Sequence, residues 1–122
     1  AYDLSSTSLA YIGDAVYGLF VRCHALWPHR SVGDRMKAVT YFVCAEHQSL
    51  LMDKVYATFD LTEAESTVLR EARRAGHETR GLDPKFCADS TALEALIGYT
   101  YIGDQERCRD LLNWLAFYLE RV

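Results

Sequence analysis

Apolar residues recur along this chain at helical spacing, and the breaks between runs carry cap and stop residues rather than strand-like alternation. From Ser8 to Trp27 the pattern predicts one helix, ended by Pro28. A second stretch opens near Ser31 to Asp34 and carries Met36, Val39, Phe42, Val43, Leu50 and Leu51, which predicts a single long helix. Thr62 followed by Glu65 has the spacing of a capping box, so a third helix starts there and ends near Gly76. No apolar period is visible from Gly76 to about Ala88, which predicts the one substantial loop. A fourth helix is expected from Asp89-Ser90-Thr91 to Ile102. Gly103 ends it, Asp104 caps the next, and the last helix reaches about Leu119. The expected fold class is all-α, with residues 1–122 as one domain.

Composition agrees with a packed helical protein. Half of the 122 residues are hydrophobic and 25% are charged, which is enough to bury a core. Cys23, Cys44, Cys87 and Cys108 are scattered without a zinc-like spacing, so they are expected to be reduced structural thiols. No apolar run is long enough to span a bilayer, and no glycine-rich phosphate loop is present. Neither a membrane nor an organic cofactor is therefore expected as a partner. The Tyr-Ile-Gly-Asp string occurs at residues 11–14 and again at 101–104. In the second copy the apolar pattern stops and polar residues follow, so Asp104 is expected to be a helix cap.

Two acids stand out against this pattern. Asp14 is the only charged residue from Leu9 to Val21, and Glu94 the only one from Ala92 to Ile102. Both helices look apolar on most sides, and a buried carboxylate must be protonated, paired or metal-bound. Two readings follow. Each acid has its own structural partner, or the two helices cross and bring both acids to one divalent ion. Oxygen-only ligands would favour magnesium or manganese. Gly13 and Gly98 lie beside the acids and would allow a close crossing.

Net charge is −4, which argues weakly against a nucleic-acid partner. Cations are nevertheless gathered locally. Arg70, Arg73, Arg74, Arg80 and Lys85, with His77, fall at the end of the third helix and in the loop after it, and Arg30, Arg35 and Lys37 form a second group. Spaced cations of this kind suit phosphate contacts on duplex RNA, which is recognised mainly by shape and backbone.

The segment Leu9-Ala10-Tyr11-Ile12-Gly13-Asp14-Ala15-Val16-Tyr17 resembles the signature helix of ribonuclease III catalytic domains. Ser90-Thr91-Ala92-Leu93-Glu94-Ala95-Leu96-Ile97-Gly98-Tyr99 resembles the family's other acidic motif. Order and separation also fit, and the resemblance is to the short Mini-ribonuclease III group that lacks a separate double-stranded RNA-binding domain. It implies a dimeric helical domain and a magnesium-dependent endoribonuclease for double-stranded RNA, with manganese able to substitute. Asp14 and Glu94 match the two essential acids, which hold the metal. Arg70, Arg73, Arg74, Arg80 and Lys85 then contact RNA. The expected substrate is precursor 23S ribosomal RNA, and the expected products carry 5′-phosphates. The expected compartment is the bacterial cytoplasm or a plastid stroma. A non-catalytic RNA-binding or ribosome-associated relative with the same fold is the alternative.

The chain departs from the larger members of this family at several positions. Thr7, Ala10 and Thr91 stand where those enzymes carry further acids, Gly18 stands where a Glu is common, and Glu46 lies where another acid approaches the metal. The resemblance places the dimer contact on apolar faces around Tyr17, Phe20 and Tyr99, unless these are monomer core.

Overall fold

A computed structural model describes residues 4–27, 29–75 and 81–122. They form six helices: α1 (Ser6–His24), α2 (Val32–Val43), α3 (Ala45–Thr58), α4 (Glu63–Ala75), α5 (Pro84–Gly103) and α6 (Gln105–Tyr118). Among the described residues there is no strand, and no helix is long and apolar enough to cross a membrane. The expected all-α class is what forms.

Helix α5 is the centre of the assembly, with α1, α3, α4 and α6 packed around it. In its central turns the apolar residues leave no free face: Ala92, Leu93, Ala95, Leu96 and Ile97 are all fully buried. A helix that is hydrophobic all round can only be satisfied in the interior. Leu9, Gly13, Tyr17 and Val21, spaced four apart on α1, supply the facing stripe. Leu51, Met52 and Val55 of α3, Leu69 and Ala72 of α4, and Leu111 and Leu115 of α6 close the core.

Local caps behave as their sequence signals imply. Thr62 and Glu65 exchange hydrogen bonds, Glu65 N–H to Thr62 Oγ1 at 3.1 Å and Thr62 N–H to Glu65 Oε1 at 3.0 Å. Asp104 caps α6 by accepting from Arg107 N–H at 3.1 Å. Glu65 is also gripped by Arg107, through Nε to Oε2 at 2.8 Å and Nη2 to Oε1 at 2.7 Å. Burial alone would raise the Glu65 carboxyl, but these charge-assisted bonds more than offset it and hold the group below its ordinary value. Cys87 and Cys108 are buried as expected of structural thiols. Cys23 and Cys44 are exposed, and all four are free.

Three expectations are corrected. The single helix expected from Ser31 to Leu51 is broken at Cys44, whose ψ of 152° makes it the end of α2 and the start of α3 at once. Terminal α2 carbonyls are taken there by side chains from elsewhere, Tyr17 Oη binding the Phe42 oxygen at 2.7 Å and Gln48 Nε2 the Val43 oxygen at 3.0 Å. The fourth helix begins at Pro84, not Asp89, with Asp83 as N-cap and Pro84 in the first turn. Residues 76–80 of the expected loop lie outside the described residues. Finally, α1 does have a solvent face. Tyr11 is 79% and Leu19 66% exposed, and Asp14 and Ala15 lie open beside them. Apolar periodicity alone does not distinguish a core face from an apolar surface.

Candidate active site

The crossing of α1 over α5 depends on two glycines. A Cβ at Gly13 would stand 1.6 Å from the Glu94 carbonyl oxygen, and one at Gly98 would stand 2.0 Å from the Leu9 carbonyl oxygen. Neither position can hold a side chain unless the backbones part. Because Gly13 lies directly over Glu94, the next residue, Asp14, is carried to the same place. The two carboxyl groups come close enough for Asp14 to disfavour ionisation of Glu94.

Their surroundings differ. Asp14 is exposed and Glu94 is mostly buried. Burial first, and then the facing Asp14, push the Glu94 carboxyl up to about 8, while a hydrogen bond from Gln48 acts the other way. That bond runs from Gln48 Nε2 to Glu94 Oε2 at 3.3 Å. Among the described residues neither acid forms an ion pair, and of the separate structural partners expected, Glu94 has only the neutral Gln48. A shared proton or a shared cation must relieve the repulsion between them.

The pair fits a hard divalent ion. Its donors are carboxylate oxygens, it is open to solvent on the Asp14 side, and among the described residues no Lys or Arg pairs with it. Among the described residues no group of three or more His, Cys, Asp or Glu side chains converges. Glu46, exposed in the first turn of α3, is therefore not brought to the pair. Two protein ligands leave most of an octahedral shell to water and phosphate, as is common for magnesium.

The cations proposed for RNA divide into groups. Arg70 and Arg74 are exposed on α4. Arg73 pairs with Asp89, and Lys85 lies 2.8 Å from Asp89 Oδ2 and 3.1 Å from Asp53 Oδ1. Arg80 and His77 lie outside the described residues. The buried Asp89 at the centre of this network also accepts from Ser49 Oγ at 2.6 Å, which ties α3, α4 and α5 together. Sequence reasoning missed Asp89 and Gln48. For Asp89 the i, i+4 spacing from Lys85 was a usable sign; for Gln48, 46 positions from Glu94, there was none.

Comparison with known proteins gives this arrangement a family. A profile described as the ribonuclease III domain matches residues 7–105, most of the chain, and the chain belongs to that family. A Mini-ribonuclease 3 from Synechocystis sp. is 38% identical over 111 residues, covering 90% of this chain and 76% of that protein. Another, from Symbiobacterium thermophilum, is 37% identical over 122 residues, covering 97% and 92%. A crystal structure of a Fusobacterium nucleatum protein superposes with a TM-score of 0.81 at 29% identity, covering 93% of this chain and 92% of that one. Within the family the chain falls with the Mini-ribonuclease 3 group. It is an endoribonuclease, and the family's substrate is double-stranded RNA.

Proposed function

We propose that Asp14 and Glu94 together hold a magnesium ion, replaceable by manganese, and that the protein hydrolyses double-stranded RNA there to give 5′-phosphate ends. The observation that carries this reading is the placement of a mostly buried carboxyl against an exposed one, with no ion pair to either among the described residues. Such a pair is costly for stability alone. When bound, the ion supplies Lewis-acid stabilisation of the phosphate and a more acidic water. The remaining work belongs to the chain. The α1–α5 crossing sets the spacing of the two carboxylates, core packing around Glu94 lowers the local dielectric, and exposed Asp14 faces the side from which a duplex can approach.

Arg70, Arg73, Arg74, Arg80 and Lys85 are the proposed phosphate contacts, with Arg73 and Lys85 oriented through Asp89. The protein acts as a homodimer, so that two sites serve two strands. The interface expected around Tyr17 is not available, because that side chain is buried and bonded to Phe42. Phe20 and Tyr99 are partly buried against the core. Tyr11, Ala15 and Leu19, one turn apart on the open face of α1, form the better strip. We further propose precursor 23S ribosomal RNA as substrate, in a bacterial cytoplasm or plastid stroma.

The experiment is cleavage of duplex RNA in magnesium by the parent protein, Asp14→Asn and Glu94→Gln. Loss of cleavage in both variants, with binding of RNA retained, is expected. Parental rates in either variant would remove that acid from the mechanism.

A further inference from the structure

Gln48 is 3% exposed, and its side chain reaches two acceptors through one nitrogen, the Val43 carbonyl at 3.0 Å and Glu94 Oε2 at 3.3 Å. Both acceptors demand the NH2 end of the amide, so its orientation is decided by chemistry. The opposite end, Oε1, is buried with no hydrogen-bond partner among the described residues. An unmet buried acceptor is destabilising, and an unbranched apolar side chain of the same length would avoid it. The bond to the Val43 carbonyl stabilises the α2–α3 break and accounts for one N–H of the amide, but stability alone does not account for the second, directed at Glu94.

From this geometry we infer that Gln48 is a positioning residue for the proposed metal site, acting through Glu94. One of its N–H groups is held by the last turn of α2, at the break created by Cys44. The other fixes a single oxygen of Glu94. The second Glu94 oxygen would then be free to serve the ion. Because the donor is neutral, it orients the carboxylate without replacing the cation, as an Arg or Lys would. Metal ligands are commonly held by such outer partners, and losing one typically costs about 10–100-fold in metal affinity or activity.

This inference rests on the proposed metal-dependent reaction, and the test separates the two. Thermal unfolding, Mn2+ affinity by calorimetry, and kcat and KM on duplex RNA are measured for the parent and Gln48→Met. Gln48→Met loses the bond to the Val43 carbonyl together with the unmet acceptor, two opposing effects, so it is expected to stay folded and to unfold close to the parental temperature. Its Mn2+ affinity and kcat fall by about 10–100-fold while KM for RNA stays within about two-fold. A folded Gln48→Met with kcat and Mn2+ affinity within about two-fold of the parent overturns the inference, as does a change confined to KM. If that variant does not fold, Gln48→Glu keeps the shape and exchanges the donor for an acceptor. Its kcat is expected to fall at least about ten-fold, and a value within about two-fold of the parent overturns the inference equally. A parent that does not cleave, or an Asp14→Asn that cleaves normally, instead refutes the proposed function.

Discussion

A single methyl group added at Gly13 tests the crossing and the site together. The new Cβ would sit 1.6 Å from the Glu94 oxygen and 2.5 Å from its carbonyl carbon. Ordinary contact begins near 3.4 Å, so α1 and α5 must part by roughly 1.8 Å along that line, the difference of 3.4 and 1.6. Both groups are backbone, and no rotamer change can relieve them. Overpacking usually costs about 1–3 kcal/mol, and this position should lie at or above the top of that range. Replacing a helical glycine returns about 0.5–1 kcal/mol, leaving a net loss of about 2 kcal/mol or more. For a chain of this size about 3–5 °C of Tm accompanies each kcal/mol, so a fall on the order of 10 °C is expected in a circular-dichroism melt. The same displacement separates Asp14 from Glu94, and a misplacement of about 1 Å can cost roughly 100-fold in rate. Cleavage of duplex RNA is therefore expected to fall by at least that factor in Gly13→Ala below its melting temperature. Gly103→Ala is the control, since a Cβ there meets nothing within 4 Å. A Gly13→Ala protein that melts with the parent and cleaves at half its rate would refute the close crossing.

Three further outcomes follow from the same geometry. In metal-free buffer the raised Glu94 carboxyl means that the folded state binds more protons than the unfolded one between its ordinary value and about 8. Stability should therefore fall as pH rises through that window. Asp14→Asn removes the facing charge but not the burial, so its melting temperature should exceed the parent's at pH 8 and converge with it near pH 4. A difference independent of pH counts against the pair. Asp89→Asn leaves Arg73 and Lys85 without their buried partner. It should cost about 2–3 kcal/mol in urea unfolding, less than a fully buried pair because both cations reach solvent. A loss under about 0.5 kcal/mol would show the network to be incidental. Gly18→Ala should raise stability by about 0.5–1 kcal/mol. Its Cβ meets only the mobile end of Arg22, and a lowered Tm would contradict this.

How far the sequence could be read depended on the range of the interaction. Thr62 with Glu65, and Asp104 with Arg107, are three residues apart, so their caps could be recognised before any fold was known. Asp83-Pro84 was an equally local start signal. It was obscured because the polar run to Ala88 lacks an apolar period, and the buried Asp89 acquires its partners from Ser49 and Arg73 on other helices. Cys44 carries no glycine or proline to announce the helix break. Tyr17 stabilises it from 25 positions away, and the nearby Gln48 bonds Val43 without any residue type that signals a break.

Asp14 and Glu94 could be found in the sequence because a charge within an apolar helix is anomalous, and because their flanking motifs resemble a known family. Gly13 and Gly98 could be named as a possible contact for the same reason. Periodicity and spacing thus determined the helical class, the caps at Thr62 and Asp104, and the two acids, but not the break at Cys44 or the start of α5. The tertiary structure alone decided that Asp14 is open while Glu94 is enclosed, that neither forms an ion pair among the described residues, and that Gln48 holds one oxygen of the pair. These features arise where α1, α3 and α5 meet. A sequence pattern records which face of a helix is apolar, but not which neighbour that face will find.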